Sequence, residues 1–223
     1  MLIEFYNSTM DNKNVFASNY LAPIEYYFQL INSEEAIIDT FENYVKQTFR
    51  NRCQILSPNG IQNLTIPLVK ARQRKVIRKV EIAYDDNWRK LHWKSFESAY
   101  RSSPYFEYYE DDFYPYYHEK EYKYLVDFND DLQKKIIELL SLETNITQSD
   151  NYIENVAPEN DFRKSISPKN ITPLNFKGYI QVFGGERNGF NPNLSILDLL
   201  FNEGPNAVNY MKGLKINISS PFV

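Results

Sequence analysis

The chain has one cysteine, Cys53, two histidines, His92 and His118, and seven glycines in 223 residues. A lone cysteine excludes an intramolecular disulfide and a multi-cysteine zinc site, and two histidines leave little material for a histidine metal centre. On composition, only an all-carboxylate magnesium site stays open; no metal and no cofactor are expected. No stretch approaches the roughly 18 apolar residues of a spanning helix. The opening "MLIEFYNSTMDNKNV" has an early Glu, no basic leader and no small-residue cleavage site, so the chain reads as cytoplasmic, without membrane insertion. A net charge of −4 argues against nucleic acid as a partner, because that binding rests on cations set against phosphates.

What is present is a globular composition, 43% hydrophobic and 24% charged, long enough for one large domain or two small ones, with nothing that forces two. The charge is segregated. From Lys46 to Lys79 there are nine Lys or Arg and no Asp or Glu, whereas Pro104 to Asp131 holds nine acids and two basic residues. Two readings stay open: the two regions pair within the fold, or the basic one serves a small anion.

The N-terminal pattern is strand, helix, strand. "NVFASN" (14–19) and "EEAIIDT" flank "APIEYYFQLINS", whose Ile24, Tyr27, Phe28 and Ile31 recur at helical spacing. That order predicts a parallel βαβ pair, with the turn from Asn19 to Pro23 at a strand's carboxyl end, where such sheets hold ligands. A hairpin follows over 51–69. Its turn is "SPNG" (57–60), in which Pro58 fixes φ and Gly60 accepts a positive φ. Period-two alternation places Asn51, Cys53 and Ile55 on one face and Arg50, Arg52 and Gln54 on the other. Cys53 is then a buried, inert thiol.

"VIRKVEIAY" (76–84) reads as a further strand, and Asp85 or Asp86 as the cap of a helix running to about Ser103. The inward stripe of that helix contains Trp88, His92, Ser95, Phe96, Ala99 and Ser103. His92 sits at its centre, either as a satisfied core histidine or beside a ligand. The Tyr-dense "SPYFEYYEDDFYPYYH" reads as a short element broken at Pro115. The helix after it, about 119–141, carries Asn129 within its apolar stripe, so Asn129 needs partners inside. Six of the glycines follow residue 177. "YIQVFGGERNGFNPNLSILDLLFNEGP" reads as strand, Gly-rich loop and helix, with Asn193 or Ser195 at the cap and Gly204-Pro205 at the end. The loop matches neither GxGxxG nor the phosphate-loop pattern.

Taken in order, "YLAPIEYYFQLI", "YVKQTFRNRCQILSPNGIQNLTIPLV", "NWRKLHWKSFESAYRSSPYFEYY" and "YIQVFGGERNGFNPNLSILDLLFNEGP" resemble the WbqC-like protein family, in the form found in bacteria related to Bacteroides. The resemblance runs from about Tyr20 to Gly204, as one domain over 1–223, while the parallel pair and the hairpin predict an α/β fold with a mixed sheet. The resemblance implies a role in lipopolysaccharide O-antigen or other surface-polysaccharide biosynthesis, as a suspected transferase. Typical members carry a His-Gln-Pro-x-Tyr-Leu-Pro type segment. Here the region reads "FASNYLAP": Tyr20, Leu21 and Pro23 match, and Ala17 and Ser18 stand where the His-Gln pair would be.

The expected partner is a phosphorylated small molecule or nucleotide sugar. Arg50 and Arg52, with Asn51 or Lys46 nearby, would donate to its phosphates, and Tyr20, Asn193 and Ser195 would help to hold it. In an enzyme reading His92 is the general acid or base. In a second reading the protein binds the sugar nucleotide, or assembles with the pathway, without catalysis.

Overall fold

In the computed structural model, the described residues are 13–70 and 75–216. The βαβ unit forms as its spacing predicts. Strands β1 (Lys13–Ala17) and β2 (Glu35–Asp39) pair in parallel, with Val15 opposite Ile37 and Phe16 opposite Ile38. Helix α1 (Ile24–Ile31) crosses between them and buries Ile24, Tyr27 and Phe28. The hairpin of β3 (Arg52–Ser57) and β4 (Gly60–Thr65) pairs antiparallel with Ser57 opposite Gly60, whose φ of 98° only a glycine adopts without strain. Cys53 and Ile55 are wholly buried on the core face, as period-two alternation requires.

Helix α2 (Trp88–Tyr100) packs on β3 and on α3 (Phe106–His118), and α4 (Leu125–Leu139) follows. The first residue of α2 follows Asn87, and no side chain caps it; the aspartates at 85 and 86 lie two residues and one residue too early. Strand β5 (Ile146–Gln148), in the polar stretch after α4, adds to the parallel sheet in the order β1-β2-β5. Short helices α5 (Phe162–Ser165) and α6 (Gly185–Asn188), with strand β6 (Leu174–Asn175), lead to α7 (Ile196–Glu203). Helix α8 (Ala207–Lys212) and strand β7 (Lys215–Ile216) complete the described chain, β7 pairing antiparallel with β6. The architecture is a mixed α/β fold: a parallel sheet, an antiparallel hairpin and covering helices.

Three local expectations are corrected. Residues 76–84 are not a strand: Ile77–Lys79 form a 3-10 turn, and isolated bridges pair Val76 with Asn43, Glu81 with Tyr124 and Ile82 with Leu68. Ile77, Val80 and Ile82 are all buried, an interval no single strand face supplies. Pro115 does not break its element. It lies inside α3, where it forfeits one bond to the exposed Asp111 carbonyl, while Phe106, Tyr109, Phe113, Tyr116 and Tyr117 bury a continuous helical stripe. Residues 179–183 form no strand. The side chain of Gln181 pins this segment by donating to the carbonyl of Asn191 and the carboxylate of Asp198.

Candidate functional site

The cationic run from Lys46 to Lys79 does not neutralise the acidic run. Among the described residues, the acids between Glu107 and Asp131 that form ion pairs do so with Arg89, Arg101, Lys120, Lys134 and Lys135. The basic residues divide into two groups instead.

Arg50 belongs to a buried network at the carboxyl edge of the parallel sheet. Its Nε and Nη2 donate to both oxygens of Glu42, the former at 2.7 Å and the latter at 2.5 Å, and Nη2 also reaches the carbonyl of Arg163 at 3.1 Å. Arg163 in turn donates to Asp39, the last residue of β2, at 2.6 Å and to Asp161. Burial raises the Glu42 pKa, against the lowering effect of Arg50. Asp161 is held below the usual range, the bonds from Arg163 outweighing its burial.

Arg52, Lys46 and Lys70 have no such partners among the described residues. A cavity of about 890 Å³ opens beside β3 and β4. Among the described residues its cations are Arg52, Lys46, Lys70 and Lys75, and no Asp or Glu lines it. Lys75 lies 3.6 Å from Glu81, at a half-exposed position. The side chains of Arg52, Lys46 and Lys70 form no ion pair or hydrogen bond among the described residues, and Arg52 Nε is shielded from solvent without a partner. Pro67, Leu68, Val69 and Val80 supply an apolar wall, and Tyr44 an aromatic one. Asn51 also lines the cavity, but its side chain is committed: Nδ2 donates to the carbonyl of Ile66 and Oδ1 accepts from Tyr44. A pocket with cations, an aromatic face and no competing carboxylates attracts a phosphate ester that carries an organic group.

His92 lies one layer behind this wall. It is 4% exposed and lines none of the described cavities. Nδ1 is 2.9 Å from the Tyr20 hydroxyl, which is 2.8 Å from that of Tyr117, and the imidazole has a backbone hydrogen bond to Thr65, a residue of the cavity wall. Burial drives its pKa down to about 4, so the ring is neutral at pH 7. Trp88 packs edge-on against the ring. Tyr20 is wholly buried, and burial raises its pKa, with Tyr117 adding to the effect.

Asn193 and Ser195 lie at a different place and tie elements together. Pro23 precedes α1 and has no side chain able to cap it; Asn193 Oδ1 accepts from the Glu25 amide instead, and its Nδ2 donates to the Glu25 carboxylate, both at 2.9 Å. Ser195 caps α7 by accepting from the Leu197 amide, and its own amide donates to the Gln54 carbonyl. Asn129 finds its expected partners, donating to the carbonyl of Arg50 and the hydroxyl of Ser18. Of the residues singled out in the sequence, the structure therefore brings Asn51 and Arg52 to one cavity, sets His92 and Tyr20 behind it, and uses Asn193 and Ser195 at helix starts. Sequence reasoning placed Lys46 near Arg50 and Arg52 but missed Lys70 and Lys75, whose only signal was membership of the acid-free run.

The residues match the model of the WbqC-like protein family over 18–169 and 149–210, and the chain belongs to that family. It is similar to the uncharacterized protein Rv1507c of Mycobacterium tuberculosis, with 30% identity over 89% of this chain and 96% of that protein. No solved structure matches. Among the described residues no helix is long and apolar enough to cross a membrane, and no group of three or more His, Cys, Asp or Glu is placed to hold a metal ion.

Proposed function

We propose that the protein binds a phosphate-bearing, nucleotide-activated sugar or acyl donor of surface-polysaccharide biosynthesis in the cavity beside the hairpin. The observation that carries this reading is the acid-free lining around Arg52, Lys46, Lys70 and Lys75. Arg52 presents a planar donor set to a phosphate, the lysines act as point charges along a diphosphate, and the wall of Tyr44, Leu68 and Val80 meets the organic group. Family membership supports the pathway. The experiment is a thermal-shift titration with uridine diphosphate sugars and pyrophosphate: ligand binding to the folded state raises the melting temperature, and Arg52→Ala abolishes most of the rise.

Transfer catalysis is the fuller form of the reading, and His92 is the residue it depends on. The lining offers no His, Cys, Asp or Glu as an acid or base. In this form His92, neutral and bonded to the backbone of Thr65, positions the wall. A His92→Gln variant that keeps ligand affinity and loses on the order of 10²-fold of turnover supports transfer. Binding without any turnover, in the intact protein, favours a noncatalytic sugar-nucleotide-binding or assembly role.

A further inference from the structure

We infer that a second, smaller cavity is an independent oxyanion subsite, which takes one phosphoryl group of a second ligand. It occupies about 190 Å³ and is lined in part by Lys46, Gln47, Arg50, Lys164 and Lys169. That space suffices for one tetrahedral oxyanion, and a whole sugar nucleotide would extend beyond its mouth.

Its floor is built rather than incidental. Arg50 is 2% exposed, and its Nε and Nη2 are committed to Glu42 and the Arg163 carbonyl. Its Nη1 makes no hydrogen bond among the described residues and is not one of the buried donors left unsatisfied, so it keeps contact with solvent and is free to meet an anion. Arg163 also lines the cavity, with its charge already taken by Asp39 and Asp161. Above them Lys46, Lys164 and Lys169 form no ion pair among the described residues. Five cations thus face three carboxylates, and the carboxylates Asp39, Glu42 and Asp161 do not line the cavity. The place is also where a ligand is expected, at the carboxyl edge of the parallel sheet, which β2 marks with Asp39.

The two cavities meet at one turn. Lys46 and Gln47 line both, and Gln47 holds a positive φ of 59°, uncommon for a residue with a side chain. A donor phosphate in the larger cavity and the phosphoryl group of a second substrate in the smaller would lie on either side of Lys46. That pairing rests on the proposed function; the oxyanion site itself does not.

The test is calorimetric titration of inorganic phosphate, with chloride at equal ionic strength as the reference, on the full chain. The wild type is expected to bind two phosphates. Lys164→Ala/Lys169→Ala, changes at exposed positions that leave the fold intact, should weaken one of them by about tenfold or more, the scale of a lost charged hydrogen bond. Arg52→Ala/Lys70→Ala should weaken the other. Phosphate binding unchanged in the Lys164/Lys169 variant, or no phosphate binding at all, overturns the second subsite. Loss in that variant alone, with no effect of the Arg52/Lys70 changes, upholds the subsite and sinks the reading of the larger cavity.

Discussion

Arg50 and Arg52 start from one alternation of the sequence, and the fold treats them in opposite ways. Arg50 is buried at the sheet edge with both Glu42 oxygens on its guanidinium. Arg52 lines an open cavity with no carboxylate against it. The difference lies in what surrounds each residue. Chain that returns from β2 brings Glu42 to Arg50, whereas among the described residues the hairpin and the segment ending at Val80 bring no carboxylate to the cavity beside Arg52. The basic run in sequence therefore serves two ends: Arg50 is tied into the fold by Glu42, and Arg52, Lys46 and Lys70 have no ion pair among the described residues.

The largest expected effect breaks the tie between Arg50 and Glu42. Arg50→Ala leaves Glu42 buried without its partner and should cost about 3 to 5 kcal/mol of stability, measured by urea unfolding. A loss below about 1 kcal/mol would place Arg50 with Arg52 as a spare cation.

Next comes the layer behind the cavity. With a pKa of about 4 in the fold against about 6.5 unfolded, His92 binds fewer protons folded than unfolded between those values. Stability is then lost as pH falls from about 6.5 to about 4, by about 3 kcal/mol in total. His92→Gln should flatten that part of the acid limb in a melting-temperature series. An unchanged slope would mean that the imidazole is solvated.

Arg52→Ala should lower affinity for a diphosphate ligand by about 1.5 to 3 kcal/mol and leave stability within about 0.5 kcal/mol. Equal falls in both would merge the two arginines into one structural role. The smallest effect concerns the hairpin that carries Arg52. Gly60→Ala meets no atom within 4 Å but must hold a φ of 98°, so it should cost about 1 to 2 kcal/mol of stability, read from unfolding, with affinity per folded molecule unchanged.

Much of the fold was legible because the determinants are local. The alternation through Cys53 and Ile55, the Ser57-to-Gly60 turn and the helical spacing of Ile24, Tyr27 and Phe28 each specify an element without distant residues. What was not legible depends on partners far along the chain. Glu42 and Arg163 decide the fate of Arg50; Glu25, which lies 168 residues before Asn193, turns that residue from a loop end into a remote helix cap. Pro115 misled because its local signal is strong, yet five buried aromatics on one face of α3 outweigh a single missing bond. In the candidate site Asn51, Arg52 and the neighbouring Lys46 were visible from the strand pattern. Lys70 and Lys75 joined them through the bridges of Leu68 with Ile82 and of Asn43 with Val76, which no periodicity encodes.

The most direct test follows the guanidinium Nε–H resonances of Arg50 and Arg52 by NMR while uridine diphosphate glucose, too large for the smaller cavity, is added. The Arg52 signal should shift with saturation as its unpartnered donors meet phosphate, and the Arg50 signal, fixed by Glu42, should stay in place. A stationary Arg52 resonance at saturating ligand would contradict the account.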